Sequence, residues 1–431
     1  MSRVAQGFHG ESPRCKPELI ALAPPKVLML YMLVLSTLTS AALTAHNLSV
    51  GRAQLAAATA GPFTIFAGGY DSSGNDTDAV DILDTSQGPW TWSTARLSTG
   101  RGVIGATGFI APNGTAIAVF AGGKHESGDR SRTRIIDMVR FDAGTTATKA
   151  TSADHVVTTF VPVWSTVRMS SARSMVSAVS STDGALVFFA GGEYAENAQN
   201  QSTKQCSDAV EIFDVTQSTW RQISLRLSQP RKKMAAVAVG RRVVFAGGYL
   251  SSVGSVATVD ILDVPTLTWV SSGQMLSTAR FRLQAAPVPH RNAALFISGQ
   301  GCDWTCPTAD LYVDDGSKTG RWALTNLTDG GRYEFGAIAA QGKVALMGGK
   351  MPRPKGLNLA AVEVFDGATM QWRNGSRTLA VPRYFAAAAL AKSSPGGGGP
   401  VALLAGGNPA VKGVSPNLTL WTVEMVPLSG L

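Results

Sequence analysis

Short apolar runs that stop at glycine punctuate the chain. They read TIFAGG (to Gly69), AVFAGG (to Gly123), VFFAGG (to Gly192), VVFAGG (to Gly248), LFISGQ (to Gln300), VALMGG (to Gly349) and ALLAGG (to Gly407). A polar loop follows each. A second apolar run then ends at an acid: AVDILD (Asp84), DMVRFD (Asp142), AVEIFD (Asp214), TVDILD (Asp263), DLYVDD (Asp314 and Asp315), AVEVFD (Asp366) and LTLWTVE (Glu424). Runs this short, separated by turn residues, predict β-strands. In six of the seven units a Trp follows: Trp90 or Trp92, Trp164, Trp220, Trp269, Trp322 and Trp372.

An arginine opens a further apolar run ahead of each glycine stop: Arg52, Arg101, Arg173, Arg231, Arg280, Arg332 and Arg383. The steps between them are 49, 72, 58, 49, 52 and 51 residues. A period near ~50 with four strands per unit predicts a β-propeller. The expected fold is therefore all-β, with seven blades of four antiparallel strands starting near residues 52, 101, 173, 231, 280, 332 and 383.

Arginine, strand, strand ending in Gly-Gly, strand ending in Asp, then Trp: this pattern resembles the kelch repeat over residues 52 to 424. Two departures stand out. The Tyr usual before the Asp is replaced by Leu83, Phe141, Phe213, Leu262, Val313, Phe365 and Val423, and the fifth unit reads Gly299-Gln300 in place of Gly-Gly. On this reading the glycines serve sharp strand exits, the Trp fills the space between blades, and the Asp accepts turn hydrogen bonds. Only seven residues follow Glu424, and NLSVGR (47–52) is similar to RLSTGR (96–101) and MLSTAR (275–280). Residues 43–50 are thus expected to supply the outer strand of blade seven and close the ring.

The first 45 residues stand apart from the propeller assigned to 46–431. Residues 1–26 are polar, and Val27 to Ala45 carry no charge. The apolar stretch followed by Ser40, Ala41 and Ala42 reads as a signal peptide cleaved near Ala42. A single-pass anchor is the alternative. Seven of the eleven asparagines begin Asn-x-Ser/Thr: Asn47, Asn75, Asn113, Asn200, Asn326, Asn374 and Asn417. The expectation is N-glycosylation in a secreted or luminal protein.

Four cysteines are too few for a disulfide scaffold. Cys302 and Cys306 are expected to close a local loop, leaving Cys206 free or paired to another molecule. No metal and no cofactor is expected: only His125 of the four histidines beyond residue 45 maps to a functional loop, and no Tyr neighbours any of them. This excludes a copper-radical oxidase, the strongest enzyme precedent that the resemblance implies. A sugar mutarotase is the enzyme alternative, with Arg173 and Glu193 as its pair.

Antiparallel alternation puts the loops between second and third strands on one face, the top, with the links between blades. The resemblance implies a ligand surface there, with Arg101, Arg173, Arg231, Arg280, Arg332 and Arg383 reaching it. Hydrogen bonding to neighbouring loops is their alternative role. Sequons at Asn75 and Asn200 crowd blades one and three, so the expected binding sector lies on blades four to six, with Tyr249, Trp304, Lys350, Arg353 and Lys355. Without residues 1–45 the excess of positive charge is seven, which suits an anionic carbohydrate or a protein partner. Nucleic acid is not expected, because no basic stripe or binding motif is present. A monomeric, non-catalytic binding module is the first expectation. An intracellular scaffold is the last, for want of a partner domain.

Overall fold

The computed structural model describes most of residues 46–431. Residues 1–45, 88, 126–130, 148–155, 198–199, 222, 271–272, 289, 302–303, 352–355, 393–398, 410–418 and 429–431 lie outside the described residues. The signal or anchor segment Val27–Ala45 therefore falls outside them. Seven antiparallel four-stranded sheets form the blades of a β-propeller. In blade three the fourth strand comes in two pieces, Thr219–Trp220 and Leu225–Arg226, both paired to Ala209–Asp214. The ring closes as expected: His46–Asn47 pair with the last strand, His46 opposite Val423 and Asn47 opposite Thr422.

Each second strand is buried along its length, as Phe63–Ala67 and Val401–Ala405 show, except for the half-buried Lys343 that opens the one in blade six, because it packs against blades on both sides. The buried apolar side chains fall into clusters that each bridge two adjacent blades. The repeated Trp joins these seams: Trp164, Trp220, Trp269, Trp322 and Trp372 each lie in or against the cluster shared with the preceding blade. Trp90 and Trp92 both border the seam between blades seven and one. Trp92 lies opposite Leu83 and stacks on His46 at 4.1 Å. The seam between blades six and seven has no Trp in its described cluster, in keeping with the unit that lacks one.

The glycine pair clips neighbouring blades together. The first glycine sits at φ 61–65° and the second at φ 94–116° in six blades, a left-handed region that favours glycine. The second donates its N–H to the carbonyl of the next blade's arginine, from Gly69 to Arg101 at 2.9 Å round to Gly407 and Arg52 at 2.9 Å. A Cβ on the first glycine would stand 2.2–2.7 Å from that same carbonyl oxygen. In blade five the structure corrects the reading of the repeat. Ser298 at φ 48° takes the first position and Gly299 at φ 109° the second. The Ser298 hydroxyl reaches the Arg332 carbonyl at 2.8 Å, using the oxygen that excludes a side chain elsewhere.

The seven arginines are corrected too. Their side chains are fully buried, each against an acid on the third strand of its own blade. Arg52 meets Asp81 at 2.6 Å, Arg101 meets Asp137 at 2.9 Å, Arg231 meets Asp260 at 2.6 Å and Arg332 meets Glu363 at 2.8 Å. Arg173, Arg280 and Arg383 pair likewise with Glu211, Asp310 and Glu424. The guanidinium also donates to carbonyls ending the second strand, such as Phe66, Gly122 and Gly191. The acid in turn accepts a backbone N–H from the link that precedes the arginine: Ser49 to Asp81 at 2.8 Å and Ser277 to Asp310 at 2.9 Å. Burial lowers the pKa of all seven arginines, and the paired acid offsets this only in part. Arginine keeps its proton under such conditions. Arg101, Arg173, Arg231, Arg280, Arg332 and Arg383 were expected to reach a ligand surface or to bond neighbouring loops; they instead pair inside their own blades.

Those acids also fix the register of the units. Counted from Asp310, Tyr312 occupies the place of Leu83, and it lies opposite Trp322 as Leu83 lies opposite Trp92. The fifth unit thus keeps the tyrosine that a count from Asp314 misses. Glu424 likewise aligns with Asp81, not with Asp84. The Asp at the end of the third strand does accept turn N–H groups, as Asp214 does from Thr216 at 3.0 Å and Asp366 from Ala368 at 2.8 Å.

Replacing one member of a buried ion pair strands the other, at a cost of about 3–5 kcal/mol. Arg231→Ala is expected to lower stability to guanidinium by that order. Arg231→Met combined with Asp260→Leu should cost clearly less, since no charge is left unpaired. Equal losses in the two variants would show that the pair does not act through charge burial.

Candidate functional site

The arginine carbonyls hold the next two residues of each blade at the inner wall of the ring. The second residue after each arginine is Gln54, Val103, Met175, Lys233, Arg282, Glu334 and Phe385. All seven adopt left-handed backbone, φ 51–57°. Their backbones join around the axis: Gln54 N–H donates to Phe385 at 3.1 Å, Val103 to Gln54 at 3.3 Å, Met175 to Val103 at 3.4 Å, Arg282 to Lys233 at 3.0 Å and Phe385 to Glu334 at 3.3 Å. This throat leads into an axial channel of about 1120 Å³, walled by small residues such as Gly105, Gly108, Ser177, Ala236 and Ala285.

Non-glycine residues in this backbone region are uncommon, and Val103 is the most costly kind. The inter-blade bonds offset that cost. The same geometry places one side chain per blade at the throat, and their chemistry is uneven. Blades one to three contribute Gln54, Val103 and Met175. Blades four to six contribute Lys233, Arg282 and Glu334, and blade seven contributes Phe385.

The first residue after each arginine lies one step further out and bridges to the residue after the glycine pair. Lys232 pairs with Tyr249, Phe281 with Gln300, Tyr333 with Lys350 and Tyr384 with Asn408. On blades four to seven the mouth becomes an arc of cations against aromatic rings. Lys232 Nζ lies 5.5 Å from the Tyr249 ring and Lys233 Nζ 5.8 Å from Phe281. The Arg282 guanidinium lies 5.8 Å from Phe281 and 5.9 Å from Tyr333, and Lys350 Nζ lies 4.8 Å from Tyr384. Three exposed apolar side chains, Val253, Trp304 and Leu357, stand on the top loops of blades four, five and six.

Charge in the mouth is partly compensated. Glu193 is buried between Arg132 of blade two and Lys232 of blade four. Burial opposes ionisation of Glu193, but the two cations outweigh it and hold its pKa below the usual carboxylate range. Arg282 Nε meets Glu334 at 2.9 Å. Burial pushes the Glu334 carboxyl up, against the pull of Arg282 and Lys233. Lys233 makes no ion pair among the described residues. Burial and then Arg282 lower its pKa to about 8. Two cations thus face one acid in the ring, and Lys124 also lines the channel.

The sector expected from the sequence is thus occupied in part. Tyr249 and Lys350 lie in the arc, and Trp304 stands exposed on its rim. Arg353 and Lys355 fall outside the described residues. Arg101, Arg173, Arg231, Arg280, Arg332 and Arg383 sit beneath the mouth, in the frame. Arg173 and Glu193, the two residues of the enzyme alternative, are each held by other groups: Arg173 pairs with Glu211, and Glu193 with Arg132 and Lys232. His125 lies 3.7 Å from Asp76, and no metal-binding cluster occurs among the described residues. Cys306 is disulfide-bonded, with Cys302 outside the described residues, and Cys206 is free and buried. The sequence reading missed Lys232, Lys233, Phe281, Arg282, Tyr333, Glu334 and Tyr384. A register-by-register comparison of the two positions after each arginine could have found them. Comparison with protein-family models and with curated proteins gave no match to this chain.

A lysine with a depressed folded pKa destabilises the fold while it stays charged. Below about pH 8 Lys233 is protonated in both states and the cost is fully present. Between about 8 and the ordinary 10.5 the unfolded chain holds the extra proton, so stability rises with pH. Lys233→Met should flatten the unfolding free energy over that window. An identical pH profile in the variant would mean that Lys233 is not held in a crowded throat.

Proposed function

We propose that this propeller is a kelch-type binding module of the secretory pathway that recognises a protein or carbohydrate through the top mouth on blades four to seven. A propeller of this kind is a binding or scaffold platform: the sheets form a rigid frame and the loops carry the variable chemistry. The arc of Lys233, Arg282 and Lys350 against Phe281, Tyr333 and Tyr384 carries the proposal. At the two positions after each arginine, cations and aromatics gather on one side, and Lys350 adds a cation from the place where blades one and two carry Tyr70 and Lys124. The exposed rim of Val253, Trp304 and Leu357 supports the same sector, because apolar side chains grouped around a polar mouth favour contact with a partner.

The kelch reading is supported by seven arginines, the glycine pairs and the inter-blade Trp, all in one register. The secretory reading rests on the sequons. Asn47, Asn75, Asn113, Asn326 and Asn374 are exposed, whereas the side chains of Asn200 and Asn417 lie outside the described residues. Asn47, Asn326 and Asn374 sit on the outer strands of blades seven, five and six. Glycans there would cover sheet edges and leave the mouth open.

Expression in a eukaryotic secretory host tests the first half. Glycosylated protein in the medium, losing mass on N-glycan removal, is expected. Unglycosylated cytosolic protein would refute the localisation, and glycosylated protein held in membranes would make Val27–Ala45 an anchor. For the second half, the medium form is screened on arrays of glycans and of extracellular proteins. Lys350→Ala combined with Tyr249→Ala and Trp304→Ala should abolish the strongest signal. Retention of that signal would move the site off this face.

A further inference from the structure

Resting on that reading, we propose that the throat between Lys233 and Arg282 is a subsite for the carboxylate of an acidic sugar, a uronic acid either free or terminal on a glycan. Charge is the first argument. Lys233, Arg282 and Glu334 are the charged members of the seven-residue ring, two cations against one acid, and Lys124 also lines the channel, so the cations outnumber the acid and favour a carboxylate. Glu334 already takes one edge of Arg282 at 2.9 Å, while Lys233 has no ion partner among the described residues. A carboxylate entering beside Lys233 gains a charge-assisted hydrogen bond from an ammonium that is already partly desolvated.

Backbone is the second argument. The hydrogen-bonded ring around the throat is interrupted at two of its seven junctions, Met175 to Lys233 and Arg282 to Glu334, where no N–H to carbonyl bond forms among the described residues. Both interruptions fall in the charged sector. Neither the Lys233 nor the Glu334 N–H has a backbone acceptor among the described residues. Shape is the third. The Lys233 and Arg282 cations lie over the Phe281 and Tyr333 rings, so aromatic carbon and positive charge adjoin. A pyranose carries a C–H face and a carboxylate together. The channel below, about 1120 Å³ with small walls, has room for a ring.

The test is calorimetric titration of the full chain, purified from a eukaryotic secretory host, with D-glucuronate. D-Glucose serves as the same ring without the charge, and an immobilised glycan ending in glucuronate is assayed in parallel. Glucuronate binding in the absence of glucose binding is expected. Response to the free acid identifies a soluble ligand, and response to the glycan alone identifies a terminal residue; either upholds the subsite. Lys233→Met should weaken binding by about tenfold or more, and Glu334→Gln should strengthen it. Opposite signs in two variants that both stay folded, with the circular dichroism spectrum of the parent, are not a consequence of altered folding. Affinity should also fall as pH rises through about 8, where Lys233 loses its proton. Equal binding of glucose, or no effect of Lys233→Met, overturns the proposal. If glucuronate does not bind in either form but acidic peptides selected by phage display do, and need Lys233, the sugar class is wrong while the top-face reading stands. If neither class binds the top face, both fall.

Discussion

Burial of seven guanidinium groups is the constraint on which the rest of the molecule depends. Each charge must be met inside the protein, because an unpaired buried cation is far more costly than a lost hydrogen bond. The paired acid comes from the third strand and the accepting carbonyls from the end of the second, so one arginine ties two strands of its own blade. Its own carbonyl then receives the glycine N–H of the blade before. A single residue therefore joins strand to strand and blade to blade. The apolar seams supply most of the burial, but they are non-directional. The arginine network sets the angle and spacing at which the seams meet.

The same network explains why the two following residues suit recognition. Their backbone is dictated by the ring, so their side chains are free to vary without disturbing the frame. Three blades use this freedom for uncharged groups and four for cations, aromatics and one carboxylate. Such division of labour among equivalent positions lets a symmetric fold hold an asymmetric site. The Glu193 bridge from Arg132 to Lys232 marks the boundary between the two sectors, tying a loop of blade two to the link entering blade four.

Much of the fold was legible because the repeat is written seven times. Glycine stops, tryptophans and arginines recur at a steady spacing, and ring closure followed from matching NLSVGR to its counterparts. The site was harder to read, for a physical reason. An arginine at a loop boundary looks the same in sequence whether it faces solvent or an internal acid. The deciding residue is that acid, three positions before the Asp in AVDILD and hidden inside an apolar run. Once Asp81, Asp310 and Glu424 are seen as partners, the fifth and seventh units fall into register, Tyr312 is recovered, and Ser298 is recognised in the first glycine place. Lys233 and Arg282 lie in the short links next to the arginines, where neither loop length nor composition marks a binding position.

Closure by His46 and Asn47 has a consequence in time as well as in space. The strand that completes blade seven is made before any other part of the propeller, and its partner, Thr422–Pro427, is made last. Chains are synthesised from the N-terminus and fold as they emerge. Six blades can therefore assemble against one another while Leu48, destined for the seam of blades seven and one, stays uncovered. Leu48, and Arg52 just beyond it, must wait for some 370 further residues before the last seam can form. Until then the nascent protein is an open arc with an unpaired edge at either end. It becomes a ring only when translation of the domain is complete.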